Sequence, residues 1–423
     1  MPTASRSLRA GEIRSAPGWT DPGRRDIIDH ARVTCCLDAA KNGPLILIRA
    51  ISRTLNCSTP GRILLSTVIA ALFGQPLWAD PDITGREFDR ANDIQQKTDI
   101  GFRRGSVVVA PIPFSNPVLG SGLALGGAYL FKQDKNEDTS FIGLGALKSD
   151  NGSRAYGFST SLAFASGWDF DLTVADADLR YELFVGANEV SLAQTGTFGS
   201  ANFSRDLSDT WRAGAGLRYI ETNLSPGRGA ILPSELRPDS DLEIASLGLT
   251  LDWDTRDNSD YPTKGARLSV SANRAKVLNI SRNYSFASAN LDGYTSLGPE
   301  TVIAARASLC AASSNAPFFD KCSIGFTDAF RGFSPTRFYD DRLASGQIEI
   351  RHRLSNRFGV VAFGGVGWTG SEFSTLDDAG TRVAGGAGLR YKLSKNFPID
   401  FSVDYTANND GENFLYVYVG QRF

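Results

Sequence analysis

The 423-residue sequence holds a single methionine, Met1, and two histidines, His30 and His352. No stretch approaches the roughly 20 consecutive apolar residues of a membrane-spanning helix, so a helical bundle in lipid is excluded. Enzyme signatures are missing as well. Beyond residue 79 no serine sits in a Gly-x-Ser-x-Gly setting, no Gly-x-x-x-x-Gly-Lys run occurs, and His352 is the one histidine left. His-based dyads and His-ligated metals therefore have no footing; no enzyme is expected and no cofactor. An excess of positive charge is absent too. Of 44 Lys/Arg and 46 Asp/Glu, ten and five fall before Asp80, which leaves the rest of the chain acidic by seven and unsuited to nucleic acid.

What remains is rich in glycine (43) and phenylalanine (26), spread over short alternating runs. That combination leaves an all-β barrel open, because its hydropathy signal per segment is weak. The longest apolar run, 63–73, follows Pro60, Gly61 and Arg62, and Ala79 offers a small residue at a cleavage position. Residues 55–79 read as a secretory signal peptide. Residues 1–54 are then an unstructured leader or a mis-assigned start, with translation beginning downstream at a non-Met codon. Residues 80–104 form a short periplasmic segment, and 105–423 the folded domain. Cys35, Cys36 and Cys57 fall before that domain, leaving Cys310 and Cys322. An even pair in an exported chain is expected to be a disulfide.

From residue 105 on, runs of about ten residues alternate apolar with small or polar and are separated by Asp-, Asn-, Gly- and Ser-rich turns. Leu247, Leu249, Leu251 and Trp253 share one face, with Gly248, Thr250, Asp252 and Asp254 on the other. Likewise Ile399, Phe401, Val403 and Tyr405 oppose Asp400, Ser402 and Asp404. So many strands carry carboxylates and arginines on their second face that a wet lumen, rather than a packed core, is expected. Sixteen candidate strands follow: 105–113, 119–131, 138–148, 152–165, 168–186, 192–204, 210–222, 242–254, 264–276, 281–297, 301–311, 342–354, 357–369, 381–393, 397–408 and 413–423. Their connections alternate in length: short at 133–138 and 254–264, long at 223–241 and 312–341. An outer-membrane barrel turns its short connections to the periplasm and its long ones outward.

The longest of these loops contains Phe330-Arg331-Gly332-Phe333. Three further motifs occur in order: Asp254-Thr255-Arg256-Asp257-Asn258 followed by Tyr261-Pro262-Thr263-Lys264-Gly265; Gly346-Gln347-Ile348-Glu349-Ile350-Arg351; and the terminal Gly420-Gln421-Arg422-Phe423. Over residues 105–423 the chain resembles the outer-membrane assembly and secretion superfamily that includes BamA, TamA and the two-partner-secretion transporters, also called bacterial surface antigens. The resemblance implies an all-β transmembrane barrel of about sixteen antiparallel strands. It places the long loop inside, with Arg331 packed against polar groups of the following strands.

Alternation along 346–354 turns Gln347, Glu349, Arg351 and Arg353 to the lumen, which makes Glu349 the expected partner of Arg331. The family's Phe-x-Asp-x-Gly pattern on the next strand reads Phe363-Gly364-Gly365-Val366-Gly367 here, so Gly365 supplies no carboxylate. Phe423 resembles a terminal assembly signal read by the barrel assembly machinery. It is expected on one face with Leu415, Val417 and Val419, opposite Tyr416, Tyr418 and Gly420. Residues 80–104 are too short for a POTRA domain, so the likeness is to the subgroup lacking that extension. The resemblance implies a bacterial outer-membrane protein, surrounded by lipid, that acts in protein insertion or translocation or in envelope biogenesis. An unfolded protein client or a separate periplasmic partner belongs to that reading; a passive pore for small solutes is the alternative.

Overall fold

Period-two alternation gives every strand two unlike faces, and the computed structural model of the chain sorts them by environment. Leu123, Leu125 and Tyr129 are exposed while Ala124, Ala128 and Leu130 between them are buried; Leu247, Leu249 and Leu251 repeat the pattern. Outward leucines with inward Arg, Asp, Ser and Gly are the inverse of a soluble sandwich and the arrangement a bilayer requires. The structure describes residues 106–131, 140–164, 166–186, 188–227, 231–259, 261–325, 330–393 and 400–423. The expected leader (1–54), signal peptide (55–79) and periplasmic segment (80–104) lie outside them.

The wall begins with β1 (Ser106–Asn116), β2 (Gly120–Phe131), β3 (Ser140–Ser149), β4 (Arg154–Phe164), β5 (Trp168–Val185), β6 (Asn188–Asp206) and β7 (Trp211–Pro226). It continues through β8 (Asp241–Asp254), β9 (Gly265–Val277), β10 (Arg282–Ser296) and β11 (Thr301–Ala312). After the long loop, which holds the two-residue strands β12 (Cys322–Ser323) and β13 (Tyr339–Asp340), come β14 (Arg342–Arg353), β15 (Phe358–Gly370), β16 (Arg382–Lys392), β17 (Asp400–Asn408) and β18 (Asn413–Val419). All sixteen long strands pair antiparallel with their neighbours in the wall, and β18 meets β1, so the sheet closes into a barrel. Each expected strand forms, with ends shifted by a few residues. The largest differences, four residues each, are at β6, which starts earlier than the alternation suggests, at β7, which runs on to Pro226, and at β18, which stops at Val419.

Turn chemistry fixes the connections locally. Asn116 Oδ1 accepts the backbone N–H of Val118 and Leu119 at 3.0 and 2.8 Å, bending the chain between β1 and β2. At the opposite end, Asp257 Oδ1 accepts the N–H of Thr263 at 2.8 Å and of Lys264 at 3.1 Å, pinning the connection between β8 and β9. Burial would raise the Asp257 carboxyl, but these bonds and the Thr263 hydroxyl hold it below its ordinary value. Trp168, Trp211 and Trp253 gather at this same end, Trp168 stacked on Phe203 at 4.5 Å and Trp211 beside Trp253 at 6.5 Å, as an interfacial aromatic girdle. Strand lengths are uneven: β5 and β6 run 18 and 19 residues, β17 and β18 only 9 and 7. The wall is therefore tallest at β5–β6 and lowest beside the β1–β18 seam.

Candidate functional site

Lumenal carboxylates on β14 and β17 converge on one guanidinium from the long loop. Arg331 Nη1 donates to Asp404 Oδ2 at 2.6 Å, Nη2 and Nε donate to Gln347 Oε1 at 3.1 and 3.3 Å, and Nη2 also reaches Glu349 Oε2. The planar fork of arginine serves these acceptors together, which the point charge of lysine does not. Its flat face lies on the Phe363 ring of β15, 3.5 Å from the centroid. Arg331 is 2% exposed and Glu349 0%, so both charges are out of water and depend on one another. Neighbouring arginines share the load: Arg351 Nε donates to Glu349 Oε1 at 2.7 Å, and Arg390 of β16 binds both oxygens of Asp404.

The rest of the motif explains itself sterically. Gly332 has φ +111°, and a Cβ there would lie 2.5 Å from the Ala384 Cβ of β16, so only glycine combines this backbone with this approach. Its N–H donates to the Tyr416 hydroxyl at 3.0 Å and its carbonyl accepts from Asn408 Nδ2 at 2.8 Å, docking the loop on β17 and β18. Phe330 and Phe333 stack at 5.6 Å, and Phe333 meets Phe338 edge-on at 5.5 Å. A Cβ on Gly365 would stand 2.8 Å from the Phe330 ring, so the ring takes the space in which the family's aspartate would start. The carboxylate comes instead from Asp404 on β17. Glu349 is thus a partner of Arg331, as its register suggests, and Asp404 is a second acidic partner that the sequence alone does not name.

A second anchor ties the loop to the opposite wall. Asp320 accepts from Arg218 Nη1 and Nη2 of β7 at 2.9 and 2.5 Å and from the Tyr284 hydroxyl of β10 at 2.5 Å. Two residues on, Cys322 is bonded to Cys310 of β11, with the Cα atoms 5.7 Å apart. Tyr339 Oη donates to the Phe184 carbonyl of β5 at 3.0 Å; burial and the nearby Asp239 push that phenol up to about 12. The loop's described residues thus touch β5, β7, β10, β11, β14, β15, β17 and β18. Asp320 and Asp404 carried no signal of pairing in the sequence. Asp404 reads as lumenal from its alternation with Val403 and Tyr405, but its partner lies 73 residues away.

The C-terminal residues depart from the expected facing. β18 ends at Val419, Gly420 adopts φ +95°, and the chain turns inward. Gln421 Nε2 donates to Asp400 Oδ2 at 2.5 Å, and Phe423 is buried with Tyr294 and Ala304. Its ring lies 5.3, 5.9 and 5.7 Å from the guanidiniums of Arg306, Arg331 and Arg351, and its carbonyl accepts from Arg351. Phe423 therefore does not share the lipid face of Leu415: continuing alternation past Gly420 fails because a left-handed residue redirects the chain. That turn leaves the seam short. β1 and β18 pair at a single position, Ser115 with Val417, whereas β1 and β2 pair along all eleven residues of β1. Val107 and Val109 on β1 are 76% and 65% exposed beside this unpaired edge.

The model of the Omp85 superfamily domain matches residues 141–423. No curated protein matches the chain in sequence. Among solved structures, BamA from Haemophilus ducreyi lacking POTRA domains 1–3 superposes with a TM-score of 0.55 at 15% identity, covering 75% of this chain and 70% of that one. CdiB from Escherichia coli gives 0.54 at 12% identity, with 80% and 70% covered, and CdiB from Acinetobacter baumannii 0.51 at 12%, with 79% and 67% covered. These likenesses show a shared barrel fold. With the family model spanning β3 through Phe423, the chain belongs to the Omp85 superfamily, and it is an outer-membrane β-barrel of that family.

Proposed function

We propose that this barrel inserts or translocates protein at the outer membrane, with the β1–β18 seam as the place where a client strand engages. The observation that carries the reading is the seam itself. Fifteen neighbouring strand pairs are laddered over many residues, and the closing pair meets at one. An edge of free N–H and C=O groups is costly in hydrocarbon, and a strand supplied by another chain satisfies it by β-augmentation. Membership of a superfamily known for insertion and secretion agrees with this. A passive pore is disfavoured by the loop, whose described residues tie opposite walls of the lumen together. Glu349, Asp404, Arg331 and Phe423 act here as structure, holding the loop and the inward-turned end of the chain so that the edge stays free.

The test is a disulfide across the single paired position, Ser115→Cys with Val417→Cys, combined with a photo-crosslinker at Val109. Reduced protein is expected to capture identifiable outer-membrane or secreted precursors at Val109, and oxidised protein to lose them while keeping its folded, heat-modifiable migration. Absence of any protein client together with a large single-channel conductance would overturn the proposal in favour of the pore.

A further inference from the structure

On the lipid side of the barrel, far from the seam, the cross-strand register builds a groove of about 590 Å³. Its apolar length is one continuous row of outward residues: Leu172 of β5 opposes Ala201, Ala201 opposes Leu217, and Leu217 opposes Leu247. The same row ends on Arg274 of β9, which opposes Leu247, and the next row ends on Lys276, which opposes Ala245. In that second row Gly199, opposite Tyr219, leaves space: a Cβ built there meets nothing within 4 Å. Lys276 lies one residue from the extracellular end of β9, and Leu172 lies in the periplasmic half of β5. The groove therefore runs from the outer headgroup region into the hydrocarbon.

The charge is placed at one end only. Arg274 and Lys276 are both outward and exposed, and the lining of the groove contains no carboxylate. Among the described residues, neither cation is within ion-pair distance of an acid; Arg274 Nη1 donates to Ser285 Oγ at 2.9 Å. The outward carboxylates Glu221 and Glu243 oppose each other one register step farther out. Two unpaired cations at the headgroup level above an apolar trough are complementary to an anionic amphiphile, with phosphate on the cations and an acyl chain along Leu217 and Leu247. We infer that this face of β5–β10 is a binding site for a phosphorylated, acylated lipid of the outer leaflet. The inference rests on the outer-membrane placement and not on protein translocation, so each stands or falls by its own experiment.

Full-length protein, purified in neutral detergent, is titrated with lipid A and followed by native mass spectrometry. Phosphatidylcholine and inorganic phosphate are titrated in parallel. Wild type is expected to retain one lipid A that phosphate alone does not displace and phosphatidylcholine does not replace. The double variant R274E/K276E is expected to bind about thirty-fold more weakly. Gly199→Leu, which fills the trough without touching the charges, is expected to weaken acyl-chain binding while heat-modifiable migration stays unchanged. Equal retention of lipid A by wild type and both variants, or equal retention of phosphatidylcholine, would overturn the inference.

Discussion

Arg331 shows why a buried charge in this lumen is a matter of geometry rather than of count. Removing it takes one guanidinium from Glu349 and Asp404, both fully buried, and leaves them to Arg351 and Arg390, so the cost should fall below the roughly 3–5 kcal/mol of a buried pair that loses its sole partner. Arg331→Ala is therefore expected to lower the urea midpoint of the folded band and to raise protease access to 330–341. The barrel should still insert, because no lipid-facing residue changes. Glu349→Ala is expected to fall short of reproducing the effect, since Asp404 keeps its 2.6 Å bond to Arg331, and the double variant should be non-additive because the two residues share one network. Equal protection of wild type and Arg331→Ala would mean that Asp320 and the disulfide hold the loop unaided.

At the scale of elements, the loop and the turns are fixed by different means. The Cys310–Cys322 bridge closes a segment with a sequence separation of 12, and such a cross-link restricts the unfolded chain by roughly 3 kcal/mol in the loop-entropy model. Alkylation of the unreduced protein is expected to modify neither thiol; full labelling of both would refute the pairing. Reduction alone should leave the loop docked, because Asp320 still holds Arg218 and Tyr284, whereas reduction combined with Asp320→Asn should free residues 313–325 to protease.

The β8–β9 turn depends instead on a carboxylate whose folded value lies below the ordinary 3.8. A lowered value stabilises the turn above the unfolded titration and is lost as pH falls through the folded one. Protection of the Thr263 and Lys264 amides against hydrogen exchange should thus hold at neutral pH and collapse on acidification below about pH 4. Persistent protection at pH 2 would assign the turn's order to its backbone alone.

For the molecule as a whole, closure is the weak step, and the end of the chain controls it. Phe423 fills a site among Tyr294, Ala304 and three arginines, and truncating a buried aromatic costs about 3–5 kcal/mol. Phe423→Ala is expected to reduce the folded outer-membrane population and to increase periplasmic degradation, because the inward turn at Gly420 loses its anchor. Normal membrane levels of the variant would remove Phe423 from any part in assembly. The uneven wall, tall at β5–β6 and low at β17–β18, sets the free edge of β1 beside the shortest strands of the barrel.

Much of this architecture is legible in one dimension. Alternation fixes which residues of each strand face lipid, as with Leu247 to Trp253, and turn chemistry fixes where strands stop, as at Asn116 and Asp257; both effects act over a few residues. The disulfide follows from an even pair of cysteines in an exported chain, and Glu349 follows from its register with Gln347 and Arg351. Asp404, Asp320 and the facing of Phe423 do not. Each depends on which strands the closed barrel brings opposite the loop, and on one left-handed glycine that ends the period-two rule at residue 420. Sequence alone determined the strands, their faces and the family. Only tertiary structure decided the partners of Arg331, the second anchor of the loop and the one-residue seam, because ladder closure and lumenal pairing act between residues far apart in the chain.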